Sequence, residues 1–168
     1  PVAIGTTLLR SMRVAGDGAT GTRETWKLDL GAANPSWEKR GETNVTSYEP
    51  MNLIAIAPVN YLARSQWTEN GRLVELSSDE GATWTRIEND CNYEISAHSE
   101  GFYCTTMDNN VLWYNLESNA WTSFEVPSLN FPVRTTGMTD GIYLHQGTDL
   151  VKISGDGSQT VIGQLDAG

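Results

Sequence analysis

The chain has 168 residues and a mass of 18.4 kDa, enough for one sizeable core and too little for two comfortable domains. A hydrophobic share of 39% with six Trp and six Tyr excludes a disordered chain, while 19% charged residues and sixteen Gly point away from solvated helices and toward short strands and turns. A net charge of −10 repels phosphate backbones and anionic lipid surfaces, so neither nucleic acid nor membrane insertion is expected, and no apolar run approaches the length of about 18 residues that a spanning helix needs.

In chain order, the first unit offers inner strands at 2–5 and 8–14, a glycine-rich connection at 16–21 and an outer strand from Trp26 to Leu30. The connection lacks the Lys-Ser/Thr ending of a phosphate loop and no helical pattern follows it, so it reads as a flexible loop. Residues 31–35 then turn into Ser36-Trp37. The second unit has an inner strand at 51–57, a looser middle strand at Val59-Asn60-Tyr61-Leu62, then Leu73 to Leu76, the polar turn Ser77-Ser78-Asp79-Glu80-Gly81-Ala82-Thr83-Trp84 and Thr85-Arg86-Ile87. Alternation suits the strands; Ser, Asp and Gly suit the turn through backbone-directed hydrogen bonds and positive φ. The third unit repeats this plan with 93–97, Gly101-Phe102-Tyr103-Cys104 and Val111 to Leu116, turning at Glu117-Ser118-Asn119 into Ala120-Trp121. The fourth has 134–138, Gly141 to Leu144 and Leu150 to Ile153, and turns at Ser154-Gly155-Asp156-Gly157-Ser158 into Thr160-Val161-Ile162.

Taking Trp37, Trp84, Trp121 and Val161 as anchors, the units recur at intervals of roughly 47, 37 and 40 residues, the period of a propeller blade. One domain over residues 1–168 is expected, in repeats of about 1–46, 47–90, 91–130 and 131–168, each of four antiparallel strands and almost no helix. The spacing Ser77-x-Asp79-x-Gly81-x-x-Trp84 resembles the Asp-box (BNR repeat) of sialidases, sortilin-type receptors and other β-propellers, and the copies ending at Trp37 and Trp121 also look kelch-like, without the kelch double glycine. The resemblance implies an all-β propeller in which Ser77 and Asp79 hold an outer hairpin turn and Trp84 packs between blades. A closed ring of four blades is the first expectation; half of a larger, eight-bladed propeller is the second.

Function is read from that frame. A sialidase-like site needs an arginine cluster, for which Arg10, Arg64 and Arg134 are candidates near inner strands, and a Tyr/Glu pair and an Asp that spacing does not identify. The favoured reading is therefore a noncatalytic binding or interaction module for carbohydrate or protein, with Trp67, Tyr48, Tyr93, Asn109 and Arg134 as contact residues and Trp67, in a polar context, foremost. A fragment of a glycan-processing enzyme and a structural subunit of a larger assembly, either a homo-oligomer or part of a longer chain, are the alternatives. His98 and His145 have no partners at metal-ligand spacing, and no cofactor is expected. Cys91 and Cys104 flank the turn at Ser99-Glu100-Gly101; they suit one disulfide, although that turn would set Cys104 opposite Ser96. Asn44-Val45-Thr46 has the form of a glycosylation sequon. The paired cysteines, the acidic low-Lys composition and a start at Pro1 lead to the expectation of an extracellular protein that is a processed form or a piece of a longer one.

Overall fold

The computed structural model describes all residues except 16–20, 46–51, 57–59, 69–70, 89–90, 93–94, 109, 127–134, 139, 147, 155 and 165–168; for 13–15, 45, 67–68, 71, 135–138 and 145–146 it describes the backbone alone. The chain forms two compact units, Pro1–Asn89 and Asp90–Gly168. Each holds two sheets. The first sheet contains β1 (Val2–Ile4), β2 (Thr7–Ala15), β3 (Gly21–Asp29) and β4 (Trp37–Val45); the second contains β5 (Asn52–Ile56), β6 (Tyr61–Thr68), β7 (Gly71–Ser77) and β8 (Thr85–Ile87). The third contains β9 (Ser96–His98), β10 (Gly101–Thr105), β11 (Asn110–Asn115) and β12 (Ala120–Glu125), and the fourth β13 (Thr135–Met138), β14 (Gly141–Gln146), β15 (Asp149–Ile153) and β16 (Gln159–Gln164). In every sheet the strands pair antiparallel in chain order, as short connections between consecutive strands require.

The pairing places four sets of residues in equivalent positions. Leu8 lies opposite Leu28, Leu62 opposite Ser77, Phe102 opposite Tyr114 and Ile142 opposite Ile153. Because side chains alternate across a strand, one face of each sheet carries these residues and the other carries Leu9, Ala63, Tyr103 and Tyr143. We call these the leading and trailing faces. In the second unit, trailing-face Tyr103, Val111 and Trp113 of the third sheet form one core with leading-face Ile142, Leu144, Val151 and Ile153 of the fourth. In the first unit, trailing-face Thr25 and Thr43 of the first sheet meet Gly81 and Arg64 of the second. The order of faces is the same in both units.

The glycine of the outer turn marks this contact. Gly81 has φ +84°, and a Cβ there would stand 2.6 Å from Thr25 Cγ2; Gly157 has φ +82°, and its Cβ would stand 2.4 Å from Phe124 Cδ1. Left-handed backbone and a neighbouring sheet at van der Waals distance both select glycine. The same register corrects the fourth repeat. Gln159, not Val161, lies opposite Ile153 and so occupies the place that Trp37 and Trp121 hold opposite Leu28 and Tyr114; Val161 is exposed.

Cys91 and Cys104 form a disulfide with Cα atoms 5.7 Å apart. Tyr103, not Cys104, pairs with Ser96, and Cys91 reaches Cys104 from further upstream, where the Asn92 N–H donates to the Thr105 carbonyl at 3.0 Å. The inner strand expected at 93–97 lies at Ser96–His98. Most of the glycine-rich loop falls outside the described residues; Gly21 begins β3. Asn44 is exposed on β4.

Candidate functional site

The outer turn of the second sheet is built from its own side chains. Ser77 Oγ donates to Asp79 Oδ1 at 2.7 Å and accepts the Gly81 N–H at 2.8 Å. Asp79 accepts the Thr83 N–H on both carboxylate oxygens, at 2.9 and 3.1 Å, and the Thr83 hydroxyl at 2.6 Å. Trp84 Nε1 closes the turn by donating to the Gly81 carbonyl at 3.1 Å. Those bonds to Thr83, with a lesser one from Ser77, hold the Asp79 carboxyl at about 2, below its usual 3.8. Asp79 borders an open groove of about 640 Å³ with Thr6, Asn60 and Glu80, but its oxygens serve the turn and it stays ionised at neutral pH, unsuited to act as a general acid.

Asp79→Ala is expected to lower stability by about 0.5–2 kcal/mol, the range of a lost cap or turn bond; an unchanged melting temperature would contradict this. Because the folded carboxyl titrates below the unfolded one, its contribution is present above the unfolded value of 3.8 and is lost as pH falls through about 2. Acid titrations of wild type and Asp79→Asn should therefore differ in slope between about pH 5 and 2 and run parallel at neutral pH. Identical slopes would contradict the assignment.

The second sheet also shows what its leading face needs. Arg64, opposite Glu75, is 2% exposed; its Nε donates to Glu75 Oε2 at 2.6 Å, its Nη2 to Thr43 Oγ1 at 2.9 Å, and its guanidinium lies 4.0 Å from the Trp84 ring centroid. Burial lowers the Arg64 pKa, and the Glu75 carboxylate opposes that shift. Arg10 occupies the equivalent position in the first sheet, two residues beyond Leu8 as Arg64 is two beyond Leu62, and Trp37 is the equivalent of Trp84. Here the pair is open to solvent. Arg10 is exposed, Trp37 is 42% exposed, and together with Met12 and Trp26 they line a mainly apolar cleft of about 160 Å³.

One edge of this cleft is fixed by charge. Trp26 Nε1 donates to Glu24 Oε2 at 2.9 Å, and Lys39 bonds both Glu24 and Glu42. The Lys39 bond draws the Glu24 carboxyl below its ordinary range, and Glu24 and then Glu42 raise Lys39. The indole of Trp26 is thereby oriented, while Arg10 has no ion pair among the described residues. Two indoles, a thioether and a guanidinium can take a planar or apolar surface and one hydrogen-bond acceptor.

Of the contact residues expected from sequence, Tyr48, Tyr93, Asn109 and Arg134 lie outside the described residues, and Trp67 is placed only as backbone of β6, paired with Arg72. Of the three arginines, the two described do not converge: Arg10 lies on β2, one of the two inner strands expected for the first unit, and Arg64 on the second strand of its sheet, and since Arg64 packs on the trailing face of the first sheet while Arg10 projects from its leading face, the sheet separates them. Tyr103 is buried, its hydroxyl has no partner among the described residues, and burial, reinforced by the Glu100 charge, raises its pKa to about 12. That is the reverse of what activates a phenolate nucleophile. His98 packs edge-on against Tyr103 and Trp113 at 5.5 and 4.8 Å, and its Nδ1 accepts the Glu100 N–H. The sequence alone offers Trp37 as a repeat anchor and Arg10 as part of an arginine cluster; the signal that links the two is that Leu8-x-Arg10-x-Met12 repeats the alternation of Leu62-x-Arg64.

Four antiparallel meanders with a common order of faces define an all-β protein compatible with a propeller-like fold. No family model matches the chain, and no curated protein matches it. Among solved structures it is similar to YjhT, with a TM-score of 0.57 at 10% identity over 92% of this chain and 65% of that one. At this identity the likeness is one of fold, and the chain spans less than two thirds of that structure's length.

Proposed function

We propose that the chain is a noncatalytic interaction module, built of propeller blades with an Asp-box turn, that takes a protein or carbohydrate ligand through the leading face of its first sheet. The observation that carries this reading is the exposed Arg10–Trp37 pair: the same pair in the second sheet is covered by another sheet and is used for packing, whereas in the first sheet it is presented to solvent beside Trp26. Aromatic and Arg side chains concentrated in one uncovered patch are the composition of contact surfaces. The buried disulfide supports an extracellular, oxidising setting.

The test is a binding screen of the purified chain against glycans, with a fluorogenic sialoside to follow hydrolysis, repeated with Trp37→Ala. Binding weakened about tenfold or more by the substitution, without turnover, is the expected result. Turnover abolished by Arg134→Ala would establish the glycan-processing alternative instead.

A further inference from the structure

We draw no further inference here: the strongest candidate, the open polar groove of about 640 Å³ at the turn end of the first two sheets, carries nothing because its charged groups already serve other protein groups, Asp79 with Thr83, Glu80 with Lys27 and Arg40 with Glu38, and nothing in the structure shows which ligand it would take.

Discussion

Replacing Arg64 with alanine is expected to cost about 3–5 kcal/mol, the range for breaking a buried ion pair by removing one partner. The guanidinium is 2% exposed and satisfied on three sides, by Glu75, by Thr43 of the first sheet and by the face of Trp84. Its removal leaves the Glu75 carboxylate, 13% exposed, without its charge partner and opens a space between the two sheets. Lysine should recover little, since an ammonium cannot bond Glu75 and Thr43 as a fork while stacking on an indole. The double substitution Arg64→Met with Glu75→Leu should recover most of the loss, because the isolated charge is then gone. Urea unfolding of wild type, Arg64→Met, Glu75→Leu and the double variant gives the coupling directly. A single-substitution loss below about 1 kcal/mol, the range of exposed pairs, would show that Arg64 does not join the sheets.

Removing the disulfide with Cys91→Ala and Cys104→Ala is expected to cost about 3 kcal/mol by the loop-closure relation for a bridge of this span. The cysteines are 13 residues apart and both are buried, so alanine, unlike serine, leaves no unsatisfied hydroxyl. The bridge also joins Cys91 to β10, beside the hydrogen bond from the Asn92 N–H to the Thr105 carbonyl. Loss should thus appear first as faster amide exchange near Asn92 and then as a lower urea midpoint. An unchanged midpoint would mean that the loop is equally restrained without the bond.

The all-β class and the four four-stranded meanders were legible because alternation and turn chemistry are local properties. Leu73 to Leu76 and Val111 to Leu116 announce strands by their own residues, and Ser77-x-Asp79-x-Gly81 announces a turn by the bonds those side chains make. The fourth repeat was misaligned because register is set by pairing across strands. Aligning Ser154-x-Asp156 on Ser77-x-Asp79 slides the repeat by one residue at its start and two at its anchor, since pairing puts Ile153 in the place of Ser77 and Gln159 in that of the tryptophan. The candidate face was not legible for a related reason. Leu8, Arg10 and Met12 alternate just as Leu62, Arg64 and Gln66 do, and nothing in that pattern distinguishes a face that another sheet covers from one left open. The same limit made Arg10 and Arg64 look like neighbours in one site: both leave the leading face of their sheets, but whether a sheet stands between them depends on how the sheets stack.

If Trp37, Trp26 and Arg10 form the proposed contact face, hydroxyl-radical footprinting with and without a glycan found in the binding screen reads it at single residues, with half-buried Trp84 as the internal reference. Oxidation of Trp37 should fall when that glycan is added while that of Trp84 stays constant. Equal oxidation of Trp37 with and without it would contradict the reading.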